Sequence, residues 1–122
     1  MKTPEDFRRM IRFVFVKPPP IPGRIIDYLT KQSITSRDFN EKIFNHIIEK
    51  NYSLENDLSK IKAKTIVIWG DKDRRLHVSC TNVIKKGLPD STIVVLRNCE
   101  HLPMIEKPEE TARYYLKFLD KV

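Results

Sequence analysis

The fold is decided by residues 66–73, whose sequence is IVIWGDKD. The first four are apolar and mostly β-branched, which is typical of a strand buried on both faces of a parallel sheet. The run ends at Gly70, where we expect a turn because glycine tolerates a positive φ. The charged loop that follows puts Asp73 at the carboxyl end of the strand. In open α/β sheets, ligands and catalytic side chains lie at this edge.

A second strand is predicted at residues 92–96, with the sequence TIVVL, and it ends shortly before His101. Between the two strands, residues 79–86 have a helical pattern that Gly87 closes. Strands joined in this β-α-β order are parallel, with a right-handed crossover, so their carboxyl ends lie at the same edge. We therefore expect the two strands to bring Asp73 and His101 together.

The part of the chain before the first strand is predicted to be wholly helical. A helix is expected from residue 4 to about 16 behind Thr3 as its N-cap, and the prolines at 18–20 end it. Two more helices are predicted, at 22–32 and 37–50. Helical periodicity predicts the following buried residues: Phe7, Met10, Ile11, Val14 and Phe15; Ile25, Tyr28 and Leu29; Phe39, Ile43, Phe44, Ile47 and Ile48; and, in a last helix that begins at Pro108, Ala112, Tyr115, Leu116 and Leu119.

The chain is thus predicted to be an α/β protein with a helical segment at 1–57 and a β-α-β-α segment at 58–122. Two strands are too few for a stable sheet, and neither carries the charge or proline that is common in edge strands. Something must therefore lie beside them. Either the exposed strand edge pairs with a partner or a second copy, or the chain is the C-terminal part of a longer protein, which we favour.

Composition limits the class of protein. The 122 residues are 40% hydrophobic, which indicates a folded domain rather than a disordered chain. No apolar run approaches the roughly 20 residues that cross a bilayer, and the polar N-terminus does not resemble a signal peptide. Cys80 and Cys99 match no metal-binding or redox spacing, so reduced thiols and an intracellular location are expected.

The net charge of +7 comes from basic residues spread along the chain. No zinc-finger spacing or glycine-aromatic motif accompanies them, so nucleic acid is not expected as a partner. A solvated basic surface is the simplest interpretation, and attraction to an anionic membrane surface is the alternative.

Asp73 and His101 are the candidate catalytic residues. An aspartate that accepts a hydrogen bond from Nδ1–H fixes the histidine tautomer and leaves Nε2 as a base, as in a Ser-His-Asp triad. The alternative is an aspartate that caps a turn and a histidine that is merely polar. His77 is a competing base, whereas Cys99 is expected to fill space rather than act as a nucleophile. The three histidines are too widely spaced to predict a metal site.

Two motifs resemble the α/β-hydrolase superfamily, in which the chain order is nucleophile, acid and histidine. Residues 70–73, GDKD, are similar to the family's Gly-x-x-Asp turn, which carries the acid. Residues 98–108, NCEHLPMIEKP, resemble its Asn-x-Gly-His-x-x-x-x-Glu-x-Pro stretch, which carries the histidine. Upstream, residues 60–70 are similar to the approach to this strand in monoacylglycerol lipases of the abhydrolase-domain type. Further matches to the helical cap of those enzymes are Thr3-Pro4, Phe39, Lys42-Ile43-Phe44 and Tyr52-Ser53-Leu54.

The resemblance implies the C-terminal portion of an α/β-hydrolase fold, with a helical cap followed by the last two parallel strands. It implies a serine esterase similar to a monoacylglycerol lipase, with Asp73 as the acid and His101 as the base. The substrate would be a lipid ester such as a monoacylglycerol, and no cofactor would be needed. A full-length form would be able to associate with a membrane.

The sequence departs from the family pattern in two ways. Glu100 stands where the family has glycine; a positive φ there would strain it by roughly 1 kcal/mol, and its carboxylate would raise the basicity of the histidine. The 122 residues also contain no Gly-x-Ser-x-Gly, so they lack the nucleophile and are predicted to be inactive alone. The alternative function is a non-catalytic, truncated hydrolase that serves as a binding or regulatory module.

Overall fold

The computed structural model describes residues 3–50 and 53–121. The predicted strands and helices are present in it, together with two short helices that the sequence did not indicate. In chain order the elements are α1 (Pro4–Val14), α2 (Gly23–Thr35), α3 (Arg37–Lys50), a 3₁₀ helix (Glu55–Lys60), β1 (Ile66–Gly70), α4 (Cys80–Gly87), β2 (Thr92–Leu96), α5 (Pro103–Glu106) and α6 (Pro108–Leu119).

The two strands form a parallel sheet, as predicted. Ile66 pairs with Thr92 at one end, and Gly70 pairs with Leu96 at the other. The strands are therefore in full register, and the loops that follow them start from neighbouring positions. Within the described residues the sheet has only these two strands, and most of their side chains remain half-buried or exposed.

A capping box begins α1, in agreement with the predicted N-cap. The Asp6 N–H donates to Thr3 Oγ1 at 3.1 Å, and the Thr3 N–H donates to Asp6 Oδ2 at 3.1 Å. Each side chain thus satisfies a backbone donor that the helix itself leaves unpaired. Phe7 and Val14 on this helix are buried, as predicted. The helix ends at Val14, about two residues earlier than expected.

The chain divides into two compact units. One consists of the described residues of 1–12 and 18–53 and contains α2 and α3. The other consists of residues 13–17 and the described residues of 54–122 and contains the sheet. None of the described helices has the length and apolar character that a membrane crossing requires.

The predicted inward faces of α2, α3 and α6 are wrong for this chain. On α2 the buried residues are Ile26 and Thr30. On α6 the half-buried aromatic residues are Tyr114 and Phe118. Periodicity identifies an apolar face, but it does not show whether the chain supplies a layer to cover that face. The predicted residues that are exposed are Ile25, Tyr28, Leu29, Phe39, Ile43, Phe44, Ile47, Ile48, Ala112, Tyr115, Leu116 and Leu119.

The end of β2 provides a test of where the core lies. Leu96 is 2% exposed, whereas its neighbour Val95 is 43% exposed. Leu96→Ala should lower the free energy of unfolding by about 2–5 kcal/mol because it leaves a cavity. Val95→Ala should cost less than about 1 kcal/mol. Urea unfolding of the two variants measures the difference, and equal losses would contradict this core.

Candidate active site

The two loops that follow the strands cross at Gly70. A Cβ on Gly70 would lie 2.1 Å from the Glu100 carbonyl oxygen and 2.3 Å from that of Cys99, so no other residue fits without moving the backbone. Gly70 does not use the positive φ that glycine tolerates, because none of the described glycines has one. The left-handed residue is Asn98, with a φ of 52°. Gly70 therefore serves the close approach of two loops, and Asn98 makes the turn.

Backbone groups join the loops on both sides of this crossing. The Asp71 N–H donates to the Leu96 carbonyl at 3.0 Å, and the Lys72 N–H donates to the Cys99 carbonyl at 2.9 Å. In return, the Cys99 N–H donates to Asp71 Oδ1 at 3.3 Å. Residues 71 and 72, just before Asp73, are thus hydrogen-bonded to residues 96 and 99, just before His101.

The structure brings the two predicted site residues together. His101 Nδ1 lies 2.9 Å from Asp73 Oδ2, and the aspartate is only 8% exposed. Asp73 Oδ1 accepts hydrogen bonds from the N–H groups of Arg75 at 2.8 Å and Leu76 at 2.9 Å. The indole N–H of Trp69 donates to the Leu76 carbonyl at 3.0 Å. One carboxylate oxygen therefore shapes its own loop, while the other holds the histidine.

The ionised state of Asp73 determines which atom of the Asp73–His101 pair carries the shared proton. Burial raises the pKa of Asp73, but hydrogen bonds from Leu76, His101 and Arg75 outweigh burial, so the pKa lies below the ordinary value of 3.8. Above its pKa the Asp73 carboxylate is ionised and can only accept hydrogen bonds. His101 Nδ1 must then carry the proton, which leaves Nε2 of the neutral ring as an acceptor. The His101 side chain is 27% exposed, so the ring is only partly shielded from solvent.

Glu106 fixes the start of the histidine loop. Its Oε1 accepts the Glu100 N–H at 2.7 Å, and its Oε2 accepts the Val16 N–H at 2.9 Å. The sequence identified Glu106 only as a member of the histidine motif. The structure gives it a physical role, since one carboxylate at the end of α5 satisfies two backbone donors from separate parts of the chain.

Glu100 does not have the positive φ that would strain a glutamate at this position. Asn98 is the one described non-glycine residue with a positive φ. The Glu100 side chain is 2% exposed and accepts hydrogen bonds from the Arg74 N–H at 3.2 Å and from Arg74 Nε. The Arg74 guanidinium also lies 5.1 Å from the centre of the Phe13 ring. The sequence held a signal for this pair, because Arg74 follows Asp73 and Glu100 precedes His101.

The other candidate residues lie outside the pair. Cys99 is fully buried, and burial together with the nearby Glu106 raises its pKa to about 11, so it stays a protonated thiol at neutral pH. His77 Nδ1 lies 2.9 Å from Ser79 Oγ rather than against the Asp73 carboxylate. Across the described ranges, no cluster of three or more histidine, cysteine or acidic side chains is arranged to hold a metal ion.

A parallel β-α-β-α unit with an aspartate and a histidine paired at its strand ends defines the class as α/β, with the architecture of the C-terminal part of an α/β-hydrolase. No protein-family model matches the chain. It is 33% identical over 122 residues to the monoacylglycerol lipase ABHD6 of Mus musculus, a match that covers 98% of this chain and 36% of that protein. It is 32% identical over 119 residues to Lipase 1 of Psychrobacter immobilis, covering 97% and 38% respectively.

Solved structures agree with this class. The crystal structure of a membrane phospholipase A, a bacterial virulence factor, superposes with a TM-score of 0.91 and 42% identity over 98% of this chain and 39% of that one. CarC, a serine hydrolase of carbazole degradation, has the same fold, with a TM-score of 0.83 at 23% identity over 100% of this chain and 49% of that one. The chain therefore corresponds to the C-terminal part of the α/β-hydrolases and is related in sequence to lipases and monoacylglycerol lipases, as its motifs predicted. It spans less than two fifths of the length of these curated relatives.

The crossing at Gly70 gives a matched pair of glycine variants. Gly70→Ala should lower the free energy of unfolding by about 1–3 kcal/mol or more, because the new methyl group meets backbone atoms that cannot rotate away. Gly23→Ala meets nothing within 4 Å and should be neutral or stabilising by up to about 1 kcal/mol. Urea unfolding compares them, and a tolerated Gly70→Ala would show that the loops do not cross as described.

The lowered pKa of Asp73 predicts how stability depends on pH. Because the folded-state pKa lies below 3.8, the ionised carboxylate stabilises the fold. That contribution is complete above the unfolded-state pKa and is lost as pH falls through the folded-state pKa. The difference in free energy of unfolding between wild type and Asp73→Asn should thus shrink as pH falls below about 4. Urea titrations between pH 6 and 2 test this, and a difference independent of pH would contradict it.

Proposed function

We propose that residues 1–122 supply the cap and the acid–histidine pair of an ester-hydrolysing α/β-hydrolase of the lipase and monoacylglycerol lipase type. In this proposal residues 1–57 are the cap, and residues 58–122 are the C-terminal part of the catalytic core. The observation that carries it is the 2.9 Å contact between His101 Nδ1 and Asp73 Oδ2 at neighbouring strand ends. Relationship to lipases over nearly the whole chain supports the same conclusion.

The pair has the geometry that proton transfer in acyl transfer needs. His101 Nε2 takes the proton of an attacking serine hydroxyl and returns it to the leaving alkoxide. In the second half of the reaction it takes a proton from water, which hydrolyses the acyl-enzyme. Asp73 keeps the ring in the right tautomer and stabilises the imidazolium that forms. It stays ionised throughout, in keeping with its lowered pKa.

The nucleophile in this proposal is a serine that residues 1–122 do not include. These residues contain no Gly-x-Ser-x-Gly, and Cys99 is buried with a raised pKa. The Ser79 hydroxyl lies 2.9 Å from Nδ1 of His77, a different histidine. We therefore expect no ester turnover from residues 1–122 on their own.

We infer a lipid ester, such as a monoacylglycerol, as the substrate. The related proteins named above are a monoacylglycerol lipase, a lipase and a membrane phospholipase A. The helical unit supports this inference, because it exposes large apolar side chains that an acyl chain or a membrane surface would cover. The most exposed of these are Tyr28, Phe39, Phe44 and Ile47.

Labelling with a fluorophosphonate probe tests the proposal, because the probe marks active serine hydrolases. The protein is captured from its source with an antibody against residues 41–60, and its mass and labelling are read together. We expect a labelled species heavier than 14.4 kDa, with hydrolysis faster on monoacylglycerols than on short water-soluble esters. An unlabelled species near 14.4 kDa would support the binding or regulatory module instead.

Variants of the same protein connect this activity to the pair. His101→Ala should lower kcat by about 10³-fold or more, and Asp73→Asn by a factor of the same order, because each removes the oriented base. His77→Ala is the control and should retain activity, since that ring bonds to Ser79. Full activity in His101→Ala would exclude the proposed role.

A further inference from the structure

An ion pair lies beside the proposed catalytic pair. Glu100 directly precedes His101 in the chain, and its carboxylate is 2% exposed. Arg74 directly follows Asp73, and it donates to Glu100 from both its backbone N–H and its Nε. Each loop therefore supplies one carboxylate and one donor. Asp73 bonds to His101 of the other loop, and Glu100 bonds back to Arg74.

We propose that Arg74 and Glu100 are positioning residues that hold His101 in register with Asp73. The proposal rests on the function proposed above and deepens it. It assigns a role to the residue that replaces the glycine of the family motif. The second pair fixes the spacing of the two loops at the positions that flank the hydrogen bond between Asp73 and His101.

Because the Glu100 carboxylate is buried, the Arg74–Glu100 pair favours one register of the two loops. A carboxylate with almost no solvent access is strongly destabilised if its partner is lost, because no water replaces the missing hydrogen bonds. Glu100 Oε2 accepts the Arg74 N–H, and Glu100 Oε1 accepts Arg74 Nε. Sliding one loop along the other would break both bonds, so the loops have one favoured register.

Glu100 and Arg74 each have a further contact besides the one between them. The Glu100 backbone N–H is bonded to Glu106, so the main chain and the side chain of Glu100 are anchored separately. The Arg74 guanidinium lies over the Phe13 ring, a contact that orients its planar group. Both carboxylate oxygens of Glu100 are engaged by Arg74, so neither is directed at a reacting atom. Glu100 acts through His101 rather than on substrate.

A double-mutant cycle tests the proposal in the labelled protein. Arg74→Ala and Glu100→Gln should each lower kcat by about 10-fold, with KM changed less than about 3-fold, because a shifted base affects the transition state most. The double variant should also lose about 10-fold rather than about 100-fold, since the two residues act as one unit. Arg74→Lys keeps the charge and the backbone donor and should recover most of the rate.

Two matched controls separate positioning from a general loss of charge. Arg113 lies over the Tyr114 ring at 5.2 Å, so Arg113→Ala removes a similarly stacked arginine elsewhere. Glu110 pairs with Lys107 at 3.8 Å, so Glu110→Gln removes a carboxylate from another ion pair. Both variants should keep kcat within about 2-fold of wild type, a change of no more than about 0.4 kcal/mol in activation free energy.

A second readout does not depend on turnover. In the same protein as the kinetic assays, the proton on His101 Nδ1 should give an exchange-protected, low-field NMR signal, which His101→Ala identifies by its loss. Arg74→Ala should broaden or remove that signal although the replaced side chain is half exposed, whereas Arg113→Ala should retain it. A loss of about 100-fold in kcat for the double variant would overturn the positioning role. An unchanged NMR signal in Arg74→Ala would overturn it as well. If the signal behaves as expected but His101→Ala keeps full activity, the proposed function fails and the loop geometry stands.

Discussion

The contact on which the site depends is the crossing of two loops at Gly70. The carbonyl oxygens of Glu100 and Cys99 occupy the space that a Cβ would need. This crossing is possible only because β1 and β2 are parallel and in register, so that both loops leave the sheet at the same edge. Backbone packing therefore brings the loop of the acid and the loop of the histidine close together.

Side chains then fix what the crossing makes possible. Asp73 uses one oxygen to shape its own loop and the other to hold His101. Glu106 bonds to the backbone of the histidine loop, and the buried Glu100 ties that loop to Arg74. Preorganisation of this kind matters in acyl transfer, where a base that is displaced by about 1 Å loses a large part of the rate. The site is thus held by several independent bonds rather than by a single pair.

Much of this was predictable from the sequence because it depends on local patterns. Apolar runs that end before a charged loop identified both strands, and the spacing of the motifs identified Asp73 and His101. The sequence of a helix does not show whether its apolar face is buried, because burial depends on the other segments that pack against it. Phe39 and Phe44 have the periodicity of buried residues and are exposed in this chain.

The contacts that the sequence does not reveal are between residues far apart in the chain. Glu100 would be strained only if its φ were positive, and the sequence does not report φ. Its partner Arg74 lies 26 positions away. Only after Asp73 and His101 are placed in contact does it follow that their neighbours, one basic and one acidic, also meet. Such pairs become predictable once one contact between the loops is known.

The most direct test of the central claim is a crystal structure of the active protein after reaction with a fluorophosphonate. We expect a phosphonylated serine that residues 1–122 do not include. His101 Nε2 should lie within hydrogen-bond distance of that serine oxygen, about 2.6–3.2 Å, with Nδ1 still bonded to Asp73. A label on a residue within 1–122, or a His101 ring turned away from the labelled serine, would contradict it.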